Sequence, residues 1–346
     1  MLMHRQNRNN KFTRLLPPPK GRGFLPMTNE RILIMKIVFL DAKTIGDDID
    51  LSAFKTLGEF VTYDYSTPEE AAKRTVDADI ILTNKVPVNE QTVGNASKLK
   101  FVCETATGTN NLDKGYLESR GIGWKNAAGY STNAVAQHTF ALLFYLMEKL
   151  RYYDDYVKSG EYVSCESFTH FAESFAEING KTWGIVGLGS IGRKVADIAS
   201  AFGANVIYYS ASGRPGQPGY HQVDWETLLA ESDIISVHAP LNSYTEDLMN
   251  KDAFSKMKKG CIFLNLGRGP IVNENDLANA LKHEEIAAAG LDVLCEEPIC
   301  SDNPLLAIKD SRRLLITPHM AWASKEARTK LMEISFNSIK EYLDIK

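Results

Sequence analysis

The segment Gly187-Leu188-Gly189-Ser190-Ile191-Gly192 constrains this 346-residue chain more than any other. A G-x-G-x-x-G pattern alone is weak, because at this glycine content chance yields about 0.1 matches per chain. Its context carries the weight. The segment follows the β-rich run Trp183-Gly184-Ile185-Val186 and precedes a helix candidate at 191–201. In that setting the first glycine permits a tight turn and the second lets backbone approach a pyrophosphate. The third allows close helix–strand packing, while the helix N-terminus attracts the anion. A plain strand–helix turn needs none of these glycines at these places. The spacing marks Gly187, Gly189, Ser190, Ile191 and Gly192 as candidate dinucleotide contacts.

From Met35 onward, short β-rich runs alternate with helix-like stretches, the pattern of a parallel α/β sheet. A first set of strands is expected at 36–40, 60–63, 79–83, 101–105 and near Trp124. Residues 134–152 are apolar on nearly every face and read as one buried helix between two domains. A polar, aromatic-rich loop at 159–179 follows. A second set of six strands is expected at 182–186, 205–209, 234–237, 261–266, 287–293 and 314–317. A doubly wound sheet of six would have the order 3-2-1-4-5-6. The tail 324–343 reads as a helix returning to the first set. The chain thus divides into one unit of 35–133 plus 320–346 and a dinucleotide-binding unit of 134–319. Residues 1–34 stand apart: Arg5, Arg8, Lys11, Arg14, Lys20, Arg22 and Arg31 oppose Glu30 alone, beside the run Pro17, Pro18, Pro19. No amphipathic period runs through them, so a disordered basic leader is expected.

Lys and Arg number 39 against 43 Asp and Glu, a net charge of −4, with a pI near 6.0. No basic surplus exists to hold a polyanion, so nucleic acid is not an expected partner. The longest apolar run in a helix candidate, Phe140 to Met147, is far short of the roughly 20 residues that cross a bilayer. A membrane is therefore not expected either. Cys103, Cys165, Cys261, Cys295 and Cys300 are odd in number and form no C-x-x-C pair. With no secretory segment, they are expected to be small buried hydrophobes in a reducing compartment, the cytoplasm. No metal site is expected.

An NAD site usually places an acid at the end of the second strand, where it bonds the ribose 2′-OH. That position is Ser210, and Ser212 and Arg214 follow it. Hydroxyls and a guanidinium can receive a 2′-phosphate, so NADP is expected as well as NAD. Ligands in open α/β sheets bind beyond the carboxyl ends of the strands. Arg268 follows the fourth expected strand, Glu297 the fifth and His319 the sixth, on the half that should hold the nicotinamide. A forked, permanent cation can hold a carboxylate and polarise a carbonyl; a histidine braced by a glutamate can pass a proton. Singly, each has an ordinary reading as a loop or turn residue; together they suit reduction of a 2-keto acid. Among the other histidines, His138 lies in the apolar helix. His238 ends the third expected strand, which places it on the adenine side.

These residues resemble those of the D-isomer-specific 2-hydroxyacid dehydrogenase family. The likeness rests on Val186 to Gly192, Ser236-Val237-His238-Ala239-Pro240-Leu241, Asn265-Leu266-Gly267-Arg268-Gly269, Gly290-Leu291-Asp292-Val293, Glu296-Glu297-Pro298 and Thr317-Pro318-His319. It implies a Rossmann domain paired with a flavodoxin-like substrate domain. By it, Arg268, Glu297 and His319 match the catalytic Arg/Glu/His, while His238, Ala239, Pro240, Leu266, Gly267 and Asp292 match cofactor positions. Ala106-Thr107-Gly108-Thr109-Asn110-Asn111-Leu112-Asp113 resembles the substrate loop, in which Thr107 and Gly108 would bind the substrate carboxylate through backbone N–H groups. The implied reaction moves a hydride from nicotinamide to C2 of a keto acid held between that loop and Arg268, with His319 supplying the proton. The first-domain run Leu82-Thr83-Asn84-Lys85-Val86 holds one cation, Lys85, as a further substrate contact, too few for a phosphate. Asn126 to Asn133 and Gln137-His138-Thr139 are most similar to glycerate dehydrogenases and hydroxypyruvate reductases. Hydroxypyruvate or glyoxylate is the expected substrate, with a D-lactate-type activity as the alternative. A non-catalytic NAD(H)-sensing corepressor is the alternative of another class. Members commonly pair through the nucleotide-binding domain, so a homodimer is expected.

Overall fold

The computed structural model describes residues 35–213 and 215–344. The basic leader and Arg214 lie outside these. Five parallel strands open the fold: β1 Lys36–Phe39, β2 Glu59–Thr62, β3 Ile80–Thr83, β4 Phe101–Glu104 and β5 Gly123–Asn126, in the order β2-β1-β3-β4-β5. Helices α1 Pro68–Arg74, α2 Glu90–Val93 and α3 Lys114–Ser119 cross between them. The two-residue period of the strands sorts their side chains onto opposite faces. Val38, Leu40, Ile81 and Val102 pack toward α2 and α3, against Val93 and Leu117. Ile37, Phe39, Leu82 and Phe101 face the other way, onto Leu331, Met332 and Ile339. Those three belong to the last helix, Lys325–Tyr342.

The chain leaves the first sheet through α4 Thr132–Met147, which packs Phe140, Leu143 and Leu146 onto Trp183 and Ile185. The single helix expected over 134–152 is in fact two. Lys149 takes a left-handed backbone (φ 55°), and α5 Leu150–Lys158 starts beyond it in a new direction. The Lys149 ammonium reaches the Arg312 carbonyl (3.4 Å), a tertiary contact with no trace in local periodicity.

The second sheet has seven parallel strands rather than six: β6 Thr182–Val186, β7 Asn205–Tyr209, β8 His221–Gln222, β9 Ile234–Val237, β10 Ile262–Asn265, β11 Ala288–Leu291 and β12 Leu314–Ile316. Their order is β12-β11-β10-β9-β6-β7-β8. The extra strand, β8, is two residues long and exists only through its ladder to Ile207 and Tyr208. Its absence from the expected set corrects every later position by one. Ile234–Val237 is the fourth strand of this sheet and pairs with β6, at the point where the strand order reverses. Arg268, Glu297 and His319 follow the fifth, sixth and seventh. Helices α6 Ser190–Ala201, α7 Trp225–Glu231, α8 Lys251–Lys256 and α9 Glu274–Lys282 cover its faces, and the last helix is α10. No helix among the described residues is long and apolar enough to cross a membrane. All five cysteines are free thiols. Cys103 and Cys261 are buried, but Cys295 is exposed and Cys165 and Cys300 half-buried, so small-core packing accounts for only two.

Candidate active site

The glycine segment turns directly from β6 into α6. Gly187 has φ +93°, and a Cβ there would lie 2.8 Å from Ala239 backbone; a Cβ on Gly192 would meet the Gly187 carbonyl. Both positions therefore exclude any side chain. At Gly189 the opposite holds: nothing lies within 4 Å of a Cβ, which leaves open space beside the helix N-terminus. An open, Cβ-free backbone at a helix start suits a pyrophosphate, and the residues present fit a dinucleotide. Ala239 also stands 2.9 Å (its carbonyl oxygen) from where a Gly267 Cβ would be, so Leu266–Gly267 and Ala239–Pro240 form the facing wall.

Beyond β7, Ser210 and Ser212 hold hydroxyls 3.4 Å apart where an acid is usual. The loop after them is pinned over the glycine segment. Gln217 Nε2 and Arg193 Nη1 each donate to the Leu188 carbonyl at 3.2 Å.

His238 sits where the strand order reverses, not on the adenine edge as expected. Ser236 Oγ accepts the Trp183 indole N–H (2.9 Å) and lies 3.1 Å from His238 Nε2. Burial pulls this imidazole down to about 3, so it stays neutral and cannot act as a proton donor near pH 7.

His319 is the contrasting histidine. Its Nδ1 lies 2.6 Å from Glu297 Oε2, and both side chains remain partly exposed. Burial alone would raise the Glu297 carboxyl; the hydrogen bond and charge of His319, the Leu294 N–H and the Lys85 charge together bring it below its usual range. His319 takes a left-handed backbone (φ 51°), which costs a non-glycine residue about 1–2 kcal/mol. Asp292 holds it there. Its buried carboxylate accepts the N–H of Met320 and of Ala321 (2.9 Å each) and the Thr317 hydroxyl (2.7 Å), and its carbonyl accepts the His319 N–H (2.8 Å). Expected only as a cofactor contact, Asp292 is the anchor of the turn that carries His319.

Arg268 precedes Gly269, whose Cβ would meet the Leu294 backbone, and the Leu294 N–H is the one that Glu297 accepts. Asn265, at the end of β10, accepts the Gly267 N–H on its side-chain oxygen and donates to the Arg268 carbonyl, both at 3.0 Å, which fixes the turn. Arg268 donates to the Gly267 carbonyl (2.7 Å), and a Cβ on Gly108 would stand 2.5 Å from Arg268 Nη2. The loop after β4 and the arginine after β10 are therefore in contact. Among the described residues, the backbone N–H groups of Thr107 and Gly108 have no acceptor, so two donors stay free beside the guanidinium. Thr107 itself is fixed by its hydroxyl to the Ala127 carbonyl (3.2 Å) and by Asn126 Nδ2 to its own carbonyl (2.7 Å). Lys85 is exposed, and its charge reaches both Glu297 and Glu104.

Sequence reasoning set aside His138 as a helix residue. The structure places its Nε2 3.0 Å from Thr317 Oγ1, in the Asp292 network under His319. The apolar run around it concealed a face that only α4 packing on the second sheet reveals.

Comparison with known proteins gives the family and the fold. Residues 140–321 match the family described as D-isomer specific 2-hydroxyacid dehydrogenase, NAD binding domain. A hydroxypyruvate reductase of Blautia hydrogenotrophica is 38% identical over 89% of this chain and 97% of its own. A glycerate dehydrogenase of Methylorubrum extorquens is 34% identical over 89% and 96%. Among solved structures, an acyclic imino acid reductase in complex with NADPH and D-Arg superposes with a TM-score of 0.80 at 32% identity, covering 90% and 97% of the two chains. With its two parallel α/β sheets, glycine cradle and Arg/Glu/His crevice, the chain belongs to the D-isomer specific 2-hydroxyacid dehydrogenase family, a group of nicotinamide-dependent oxidoreductases.

Proposed function

We propose that this chain reduces hydroxypyruvate and glyoxylate to the corresponding 2-hydroxy acids, between a substrate domain (35–133 plus 320–346) and a dinucleotide domain (134–319). The observation that carries the reading is the contact of Arg268 with Gly108 beside two free backbone N–H groups. Two N–H donors and a guanidinium suit a carboxylate whose adjacent carbonyl oxygen lies on the guanidinium. When bound, the nicotinamide supplies the hydride that reduces C2. Arg268 stabilises the negative charge that builds on the carbonyl oxygen in the transition state. Because Nδ1 of His319 is held by Glu297, Nε2 is the atom that delivers the proton to that oxygen. Glu297 stabilises the imidazolium and fixes its orientation. Lys85, the lone cation of its loop, suits a carboxylate or hydroxyl better than a phosphate.

Ser210 and Ser212 favour acceptance of NADPH, since no carboxylate stands there to repel a 2′-phosphate. Val163, Phe168 and Phe171 are 85–90% exposed on the loop after α5, an apolar patch that favours pairing of two copies through the nucleotide-binding domain. Initial rates with hydroxypyruvate, glyoxylate, pyruvate and phosphohydroxypyruvate, each with NADH and NADPH, test the reading. Preference for the first two is expected; a preference for pyruvate or phosphohydroxypyruvate overturns the substrate assignment. An NADPH/NADH ratio well below one overturns that of the cofactor.

A further inference from the structure

Two carboxyl groups lie beneath the first-domain loops and have no part in the chemistry above. Asp41, just after β1, is buried and accepts the backbone N–H groups of Asn84 (2.9 Å), Lys85 (2.7 Å) and Val86 (3.3 Å). Glu104, the last residue of β4, is fully buried. Its Oε2 accepts from Asn111 Nδ2 at 2.9 Å, and its Oε1 has no partner among the described residues. The same Asn111 Nδ2 reaches the Val86 carbonyl (3.2 Å), and the Asn111 carbonyl accepts the Val88 N–H (2.8 Å). Asn111 thereby stitches the loop that carries Lys85 to the loop that carries Thr107 and Gly108.

We propose that Glu104 is a positioning residue that locks these two substrate-facing loops to each other through Asn111. The inference rests on the reading of Thr107, Gly108 and Lys85 as the substrate cradle. With a proton on Oε1, Oε2 is left as a neutral acceptor for Asn111, and the joint closes without a buried charge. The groups facing Glu104 are Asp41 from the end of β1, Lys85 from the loop after β3, and Tyr130 from the turn before α4. Burial is the main force that pushes this carboxyl up to about 9; Asp41 adds to it, and Asn111 and Lys85 oppose it. Above that pH a second buried charge would stand near Asp41 with no added partner. Such a site relaxes by admitting water, which parts the loops.

The test uses the full chain with glyoxylate and NADPH. The ratio of the wild-type glyoxylate KM to that of Glu104→Gln should rise about fivefold or more between roughly pH 7.5 and pH 10, while the ratio of their kcat values and the NADPH affinity change less than about twofold. Glu104→Gln keeps the acceptor and cannot ionise, so it lacks the added alkaline rise. Asn111→Ala should raise KM at every pH. An alkaline rise that persists unchanged in Glu104→Gln, or no rise in the wild type, overturns the proposal. If Gly108→Ala leaves KM unaltered, it is the cradle reading that fails instead. Stability supplies a readout free of catalysis. The unfolded carboxyl ionises near its usual 4.5 and the folded one near 9, so wild-type stability falls as pH rises through that window. The Tm of Glu104→Gln should therefore gain on the wild type from about pH 5 to pH 9; a constant difference overturns the proposal. Should the variant not fold, infrared spectra of the wild type remain decisive: a carboxylic acid band at neutral pH that disappears by about pH 10 is expected, and no such band overturns it.

Discussion

Two histidines show how far a residue's surroundings decide its role. Among the described residues His238 has Ser236 as its side-chain hydrogen-bond partner, and desolvation of its ring keeps it neutral. His319 meets a carboxylate at 2.6 Å in a half-open crevice. Removing the second should be costly: His319→Ala should lower kcat by about 10²–10⁴-fold, the usual scale for a positioned general acid. Cofactor affinity, measured by quenching of protein fluorescence, should hardly change. A loss of NADPH binding of the same size would show that His319 acts through the dinucleotide site instead. Glu297 permits a signed pH prediction. Its carboxyl is depressed in the folded chain, so its contribution to stability is present above the unfolded value of 4.5 and is lost as pH falls through the lower folded value. The Tm gap between wild type and Glu297→Gln should be widest above about pH 5 and close in acid; a gap that widens in acid would contradict the ion pair.

At the scale of elements, the strand–turn–helix at β6–α6 is the least forgiving. Gly187→Ala would place a methyl group 2.8 Å from Ala239 on a left-handed backbone. It should cost about 1–3 kcal/mol of stability by denaturant titration and weaken dinucleotide binding together. Wild-type affinity in a folded Gly187→Ala variant would refute the close-approach argument. Elements of this kind were legible because strand, turn and helix are consecutive and the Gly192 position answers to Gly187 within the same turn, although the close approach of Gly187 to Ala239 is tertiary. The break at Lys149 and the two-residue β8 were not legible. One depends on the Arg312 carbonyl, over 160 residues away in sequence, and the other on a ladder to β7 that no apolar pattern announces.

The whole molecule depends on the chain's return. Helix α10 closes the face of the first sheet, and Cys103 Sγ lies 3.8 Å from the Ser335 carbonyl across that contact. Leu331 is fully buried there, so Leu331→Ala should cost about 2–5 kcal/mol. Limited proteolysis should then cut the elements of the five-stranded sheet before those of the seven-stranded one; uniform cleavage would mean that the two sheets unfold as one. The proposed pairing of two copies is tested at the same scale. Phe171→Asp should convert a dimer to a monomer in light scattering, and an unchanged mass would exclude the patch around it as the interface.

The amino-acid sequence by itself determined the two parallel α/β sheets and the strand–turn–helix of the glycine segment, and it singled out Arg268, Glu297 and His319 as residues that follow strands. Each of these is a matter of short-range pattern: period, turn chemistry, and the residue that follows a strand. Tertiary structure alone decided what those residues do to one another. Asp292 became the anchor of the His319 turn, His138 joined its network, and Asn111 joined Glu104 to the Val86 carbonyl, because parallel strands bring their carboxyl ends together irrespective of distance along the chain. Burial then set the charge of His238 and Glu104, a property of the assembled low-dielectric surroundings that the residue types do not carry with them.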